Sequence, residues 1–340
     1  MPRDVSSGYF PARNDKLTFA AGFVRLFAMN AQEKIGDLRQ NIEQALRGKA
    51  SVVKMAITTL LAGGHLLIED VPGVGKTTLA QAIARSVHCS FKRIQFTSDL
   101  LPSDILGVSI FNPQSNSFEF RPGPIFTQIL LADEINRTTP KTQSSLLEAM
   151  NEGQATVENH TYALPQPFMV IATQNPSEHQ GTYPLPESQL DRFMMRIEIG
   201  YPEESDERQI LLSRGDASPA VSTLKPVLEA QEILALQQET SKVLLEESLV
   251  DYLMAIVSAT RSSVHLALGV STRGALFLQR SAKALALVEG RSYCLPDDIK
   301  LLAPLVLSHR VIVHSQNESP RPQEGREIIE EILEAIPVPI

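Results

Sequence analysis

The sequence predicts an α/β fold in which helices cover both faces of a parallel sheet, followed by a smaller domain made only of helices. Four short strand-like segments, most of them apolar, alternate with helical periods up to about residue 200. Continuous apolar strands joined by helices are typical of a parallel sheet that is buried on both faces. From Tyr201 onward the strand patterns fade and one helical period follows another, which predicts the second domain.

The elements follow in order from the N-terminal side. Helical periods occupy residues 31–61, where Gly48 divides two helices and Gly63-Gly64 ends the second. Two insertions, 108–120 and 155–164, predict β-hairpins with polar turns. The predicted strands are 65–68, 91–97, 129–133 and 168–173, and the helices between them are 77–87 and 138–152. The later helical periods are 203–214, 229–242, 246–261, 272–289, 296–310 and 324–335.

Composition narrows the class of protein. The net charge of −8 disfavours general nucleic-acid binding, which needs clustered positive charge. The two cysteines have no metal-like spacing and fit a reducing cytosol, so we expect a cytoplasmic protein. No apolar run reaches the ~18 residues of a membrane span, so we expect none. The segment 17–29, "LTFAAGFVRLFAM", resembles a short signal sequence, but Arg25 interrupts it. An amphipathic or poorly ordered extension is the favoured interpretation, and a natural start at Met29 remains open.

The segment Asp70–Thr77, "DVPGVGKT", lies between a predicted strand and a predicted helix. It matches the phosphate-loop pattern G-x-x-x-x-G-K-[ST] except at Asp70, which replaces the first glycine. Gly73 and Gly75 let backbone amides converge on phosphate oxygens. Lys76 supplies a cation for the phosphates and Thr77 a hydroxyl for Mg²⁺. A chance glycine turn is the alternative, but strand, loop and helix all agree with a phosphate site. The predicted nucleotide-binding residues are Val71, Pro72, Gly73, Val74, Gly75, Lys76, Thr77 and Thr78.

Two acids end the third predicted strand, after four apolar residues. Beside a phosphate loop, Asp133 would hold Mg²⁺ through water and Glu134 would act as the general base on the attacking water. A solvated carboxylate pair at a strand end is the alternative. With the loop upstream, the acids favour nucleotide hydrolysis over simple solvation.

An asparagine and two arginines complete the candidate set. Asn175 follows the fourth strand and would lie level with Glu134 if that strand lies between the first and the third, where its amide could orient water or touch the γ-phosphate. Arg192 could reach the γ-phosphate of a neighbouring subunit, and Arg273 could reach it from the second domain. Each could instead be a turn asparagine or a surface arginine. Arg137 is a weaker interface candidate.

In this order the segments resemble the MoxR family of AAA+ ATPases, a magnesium-chelatase-like, helix-2-insert branch. The family pattern assigns Walker A to 70–77, Walker B to Asp133 and Glu134, and sensor 1 to Asn175. It assigns the arginine finger to Arg192 and sensor 2 to Arg273. Family members often carry Asp or Gly at the position of Asp70. The sensor 2 segment 271–274 departs more, reading Ser-Thr-Arg-Gly where the family usually has Ser-Pro-Arg-Ala. The matching segments are "LLIEDVPGVGKTTLA" (66–80), "FTSDLLPSDILG" (96–107), "FEFRPGPIF" (118–126), "LLADEINR" (130–137), "PKTQSSLLEAM" (140–150), "VIATQNP" (170–176) and "GTYPLPESQLDRF" (181–193).

The resemblance implies an AAA+ core at 31–200, a helical lid domain at 201–340, and an extension at 1–30. It implies ATP and Mg²⁺ as ligands, and a homo-oligomeric ring, usually a hexamer. It further implies a chaperone-like motor that remodels or matures a client protein or its cofactor, often with a von Willebrand factor A domain partner. Two other functions stay open: a nucleic-acid motor, disfavoured by the charge and the lack of a basic module, and a nucleotide-gated scaffold without turnover.

Overall fold

The computed structural model describes residues 31–175, 181–212, 221–314 and 322–339. The predicted N-terminal extension lies outside these residues. The first two helices are α1, described over 31–45, and α2, Ala50–Leu61. Gly48 between them has a φ of 70°, a left-handed conformation that glycine adopts without a steric penalty. The predicted division into two helices is therefore confirmed.

Five parallel strands form the central sheet, in the order β2-β5-β8-β1-β9. The apolar side chains of β1 and β5 are fully buried, as expected for a sheet covered on both faces. The α/β fold prediction is confirmed, and β9 is a fifth strand that the sequence did not indicate. The strands of this sheet are β1 (Leu66–Glu69), β2 (Phe91–Gln95), β5 (Ile129–Asp133), β8 (Met169–Gln174) and β9 (Met195–Ile197).

Helices connect the strands, and two hairpins extend from the connections. The hairpin strands β3 (Gly107–Asn112) and β4 (Ser117–Pro122) pair with each other, as do β6 (Gln154–Val157) and β7 (His160–Ala163). Both predicted hairpins are thus confirmed. The connecting helices are α3 (Lys76–Ser86), α4 (Pro102–Leu106), α5 (Pro140–Glu152) and α6 (Glu187–Leu190).

Aromatic side chains join the two hairpins. The ring of Phe120 on β4 stacks on the ring of Tyr162 on β7, with centroids 4.1 Å apart. Phe126 packs edge-on against both rings. Such aromatic contacts contribute about 0.5–1.5 kcal/mol beyond their area burial. Near the other end of the first hairpin, Phe111 and Phe118 form a cross-strand pair that is largely exposed.

A buried histidine ties the start of β1 to its neighbours. The Nδ1 atom of His65 accepts the Val170 amide hydrogen at 3.0 Å, and its Nε2 lies 3.0 Å from the Met150 carbonyl oxygen. These partners suit the neutral ring with the hydrogen on Nε2. Burial lowers the pKa of His65 to about 4, only partly opposed by the hydrogen bond to Met150. A proton on Nδ1 would remove the acceptor of the hydrogen bond from Val170 of β8.

The helical part begins with α7 (Glu204–Leu212) and continues with five longer helices. Helix α10 packs against α11 and also against α2, so the helical part rests on the sheet-containing part. A short two-stranded ribbon, β10 (Leu266–Leu268) with β11 (Ile312–Val313), and a 3₁₀ turn at Ser308–Arg310 complete it. The longer helices are α8 (Ala230–Lys242), α9 (Glu247–Ser262), α10 (Thr272–Val288), α11 (Pro296–Leu307) and α12 (Pro322–Ala335). Across the four described ranges, no helix combines the length and apolarity needed to cross a bilayer.

Candidate functional site

A cavity of about 340 Å³ opens where the strands of the sheet end. Strand β8 lies between β1 and β5, so the carboxyl ends of these three strands meet at one edge. Ligands of open parallel sheets bind at this edge. The cavity is lined by Pro72, Gly73, Gly75, Lys76, Thr77, Thr78, Arg93, Gln95, Asp133, Glu134 and Asn175.

The glycine loop between β1 and α3 forms the floor of the cavity. Gly73 and Gly75 have φ values of 87° and 102°, where other residues are strained. At Gly75 a Cβ atom would also come within 2.9 Å of Leu46. Helix α3 begins at Lys76, and no side chain caps its first amides. Amides at such a helix start, together with a positive macrodipole end, form an anion cradle that fits a phosphate group.

Six of the eight predicted nucleotide-binding residues line this cavity, and the valines do not. Val74 is buried in the hydrophobic core, and the partly buried side chain of Val71 packs against it. The Nζ atom of Lys76 donates to the Asp70 carbonyl oxygen at 2.6 Å, and Lys76 also lines the cavity. The loop is thus held in shape by its own lysine.

The carboxylate of Asp70 fastens the loop to the segment after β9. Its Oδ2 accepts the amide hydrogens of Ile199 at 2.7 Å and Gly200 at 2.6 Å, and its Oδ1 accepts the Val71 amide hydrogen at 2.8 Å. Asp70 is buried and does not line the cavity. The departure from the glycine pattern therefore places an acid where it binds backbone amides of this chain.

Both acids at the end of β5 are engaged by neighbouring side chains. Asp133 Oδ1 accepts the Thr173 hydroxyl hydrogen at 2.6 Å, while Oδ2 accepts from Arg93 Nη2 at 2.6 Å. Glu134 Oε2 accepts from Gln95 Nε2 at 2.7 Å and lies 3.1 Å from Arg137 Nε. This network fixes the direction of each carboxylate at the edge of the cavity.

The backbone at Glu134 is held in an unusual conformation. Its φ is 57°, a left-handed value that costs an ordinary residue about 1–3 kcal/mol. The amide hydrogen of Glu134 is donated to the Thr173 hydroxyl oxygen at 2.9 Å, so Thr173 holds both Asp133 and Glu134. Strain of this kind, held by surrounding contacts, is often found at functional sites.

Asn175 reaches the cavity as the sequence predicts. Strand β8 lies between β1 and β5, and buried Asn175 lines the same cavity as Glu134. The expected strand order is therefore confirmed, while the role of the amide stays a prediction.

Arg192 and Arg273 do not line this cavity. The Nη1 atom of Arg192 donates to the Leu147 carbonyl oxygen of α5 at 2.7 Å. The Nη1 atom of Arg273, which is 48% exposed, lies 3.6 Å from Asp191 Oδ2. The structure thus places Arg273 beside Asp191 and the Arg192 guanidinium against α5, both outside the cavity formed by the same chain. Arg137, the weaker candidate, pairs with Glu134 instead.

Three residues of the site were missing from the sequence prediction: Arg93, Gln95 and Thr173. Arg93 and Gln95 stand two apart on β2, with Ile94 buried between them. That alternation in "FKRIQ" places both polar side chains on one face of the strand, and it was a usable signal. Thr173 lies inside an apolar strand, and nothing in its immediate sequence marks it.

Comparison with known proteins agrees with this geometry. Residues 65–195 match the family described as "ATPase family associated with various cellular activities (AAA)", and residues 258–332 match the AAA lid domain. Chaperone MoxR1 of Mycobacterium tuberculosis (strain ATCC 25618 / H37Rv) is 41% identical over 281 residues, covering 80% of this chain and 74% of MoxR1. The chain belongs to the MoxR family of AAA+ ATPases.

Two further similarities extend over almost the whole MoxR-family chain. The uncharacterised protein YeaC of Bacillus subtilis (strain 168) is 48% identical over 306 residues, which covers 90% of this chain and 95% of YeaC. A crystal structure from Cytophaga hutchinsonii ATCC 33406, named as a candidate ATPase, has a TM-score of 0.85 at 36% identity. The matched region covers 94% of this chain and 99% of the crystallised chain. As a family member the protein is an ATP-hydrolysing enzyme, and its fold is an AAA domain followed by an AAA lid domain.

Proposed function

We propose that the cavity at the carboxyl edge of the sheet is the ATPase site, working with Mg²⁺ in a ring of identical subunits. The observation that carries this proposal is the convergence of the glycine loop, two acids and Asn175 on one cavity. Lys76 and the first amides of α3 bind the β- and γ-phosphates. In the same proposal the AAA+ domain spans 31–200, the lid domain spans 201–340, and residues 1–30 form the extension.

A divalent metal fits the oxygen atoms available here. Within the described parts of the chain, no group of three His, Cys, Asp or Glu residues is arranged to hold a metal. Mg²⁺ is held in such sites by few protein oxygens together with phosphate and water, and Thr77 and Asp133 supply those oxygens. When bound, Mg²⁺ offsets phosphate charge in the transition state. Thr173 fixes the direction of Asp133.

Glu134 is the residue we assign as general base. Its carboxylate takes the proton of the attacking water, and Gln95 holds that carboxylate in place through Oε2. The amide of Asn175 orients the same water or binds the γ-phosphate. The variant Glu134→Gln should bind ATP but hydrolyse it at least about a hundredfold more slowly. Wild-type phosphate release by that variant would remove Glu134 from the role.

The position of Arg192 and Arg273 supports their action on a neighbouring subunit. Arg273 lies beside Asp191, the Arg192 guanidinium binds the Leu147 carbonyl oxygen, and both lie outside the cavity of their own chain. Arginines supplied by a second chain stabilise charge on the transferred phosphate. Mixing Arg192→Ala subunits with Glu134→Gln subunits should restore hydrolysis, because the second kind keeps the arginine that the first lacks. No recovery on mixing would argue against this arrangement.

We further propose that the ring is a hexamer and that ATP hydrolysis in it remodels a client protein. The MoxR1 relative is named a chaperone, and the family resemblance suggests a von Willebrand factor A domain protein as a partner. The free thiols of Cys89 and Cys294 fit a reducing compartment such as the cytosol. A Glu134→Gln trap should retain the client in ATP and release it in ADP. Retention of nucleic acid instead would favour a nucleic-acid motor.

A further inference from the structure

Arg310, in the 3₁₀ turn after α11, has a guanidinium group buried against the Asp191–Phe193 turn that carries Arg192. Its side chain is 1% exposed. We propose that Arg310 is a positioning residue for Arg192, and that it links the helical part of the chain to the neighbouring subunit's reaction. This inference rests on the proposed function, in which Arg192 acts on a second chain.

The contacts of Arg310 bracket Arg192 on both sides. The Nε atom donates to Asp191 Oδ1 at 2.9 Å, and Nη2 donates to the Asp191 carbonyl oxygen at 3.3 Å. Nη2 also donates to the carbonyl oxygen of Phe193. Because these groups belong to the residues before and after Arg192, the backbone that presents Arg192 is fixed from both sides.

The remaining donors of Arg310 bind the same guanidinium to the helical part and to the residue that precedes β9. Nη1 donates to the Val306 carbonyl oxygen of α11 and lies 3.4 Å from that of Met194. The guanidinium carbon lies 5.0 Å from the centre of the Phe277 ring of α10, within the range of a cation–π contact. Burial lowers the pKa of Arg310 to about 10, partly opposed by Asp191. A buried cation of this kind is tolerated only when its donors are satisfied.

Asp191 is therefore shared by several groups of the helical part. Besides Arg310, it is approached by the Ser271 hydroxyl at 3.4 Å and by Arg273 at 3.6 Å. On the other side, Arg192 is held by the Leu147 carbonyl oxygen of α5. A shift of the helical part would reach Arg192 through Asp191, whereas the cavity of the same chain shares none of these contacts.

A purely structural role for Arg310 makes a different prediction from a positioning role. If Arg310 only stabilised the fold, its replacement would impair the ATP site of the same chain, and neighbours could not correct the defect. If Arg310 positions Arg192, the altered chain keeps a working ATP site and fails only as a donor of Arg192. The two roles separate in mixed rings.

The test uses full-length Arg310→Lys, which keeps the charge but cannot reproduce the planar donor geometry of arginine. Alone, it should lose at least about tenfold in ATP turnover, while binding of a fluorescent ATP analogue stays within about twofold of wild type. Titration with Glu134→Gln subunits should restore turnover, as it should for Arg192→Ala. Asp191→Asn weakens the same contact without removing the cation, and it should show the same loss of turnover and the same recovery on mixing. It replaces Arg310→Lys in the test if that variant does not fold.

Arg280→Lys is the matched control. Arg280 lies on α10 and donates to the Ala62 carbonyl oxygen at 2.6 Å, so it joins the helical part to the end of α2, away from the Asp191 turn. Its turnover should stay within about twofold of wild type. The inference is overturned if Arg310→Lys and Asp191→Asn turn over ATP normally, or if mixing restores Arg192→Ala but neither of them. If mixing restores none of the three, the action of Arg192 on a neighbour fails, and this inference fails with it.

Discussion

Replacing Asp70 with glycine, the residue that the phosphate-loop pattern calls for, should destabilise this protein. The Asp70 carboxylate accepts three backbone amide hydrogens, from Val71, Ile199 and Gly200. The Ile199 amide is buried, and leaving such a donor without an acceptor costs about 1–3 kcal/mol. The other two amides lie nearer to solvent and should cost about 1 kcal/mol together. Added flexibility of the unfolded chain contributes roughly 0.5–1 kcal/mol more.

The free energy of unfolding of Asp70→Gly should therefore fall by about 2.5–5 kcal/mol. Urea unfolding at pH 7.5, followed by circular dichroism, measures the difference. Asp70→Asn keeps one acceptor oxygen, so its free energy of unfolding should fall by about half as much as that of Asp70→Gly. Asp251→Asn, at an exposed position of α9, is the control and should stay within about 0.5 kcal/mol of wild type. An Asp70→Gly variant as stable as that control would refute the reasoning.

ATP affinity gives an independent check on the same variant. Because Asp70 does not line the cavity, the folded fraction of Asp70→Gly should bind a fluorescent ATP analogue within about threefold of wild type. A loss of binding far beyond the loss of folded protein would show that the carboxylate acts on the nucleotide site itself.

Three further predictions concern a metal ligand, a buried histidine and the thiols. Arg93→Gln, which frees Asp133 from its ion pair, should strengthen Mn²⁺ binding about three- to tenfold, and unchanged binding by electron paramagnetic resonance would contradict this. The pKa of His65 is about 4 in the folded protein and about 6.5 in the unfolded chain, so the unfolded chain binds the proton more tightly. The contribution of neutral His65 to the free energy of unfolding is therefore complete above pH 6.5 and falls by about 3 kcal/mol as pH drops towards 4. Urea unfolding of His65→Gln should show a shallower pH dependence over that window than wild type. Burial raises the thiol pKa of Cys89 to about 12 and of Cys294 to about 11. At pH 8, iodoacetamide should therefore label both thiols of the folded protein roughly a hundredfold or more slowly than those of protein unfolded in about 6 M urea.

The sheet could be predicted because β1, β5 and β8 are apolar until their last residues, and the helical periods between the strands indicate parallel connections. Strand β9 escaped prediction because it has three residues and a charged centre. Arg196 in that centre pairs with Glu69 of β1 at 3.1 Å, a contact between residues more than a hundred positions apart. Local periodicity carries no information about such a partner.

The candidate site divides in the same way. Lys76, Asp133 and Asn175 follow strand ends in recognisable patterns, and the structure gathers them at one cavity. Arg310 was not among the predicted site residues, and its importance depends on a turn more than a hundred residues earlier in the chain. Contacts of that kind arise from tertiary packing, so sequence spacing alone could not reveal them.

The stacked rings of Phe120 and Tyr162 give the two hairpins a mechanical property that neither has alone. A two-stranded hairpin is marginally stable in isolation. Two hairpins joined by stacked rings resist bending as one unit. Helix α5 runs from near Glu134 to the base of β6, a stiff rod about 20 Å long at 1.5 Å per residue. A small rotation at Glu134 would therefore produce a larger displacement at the far end of the joined hairpins, where Phe111 and Phe118 are exposed.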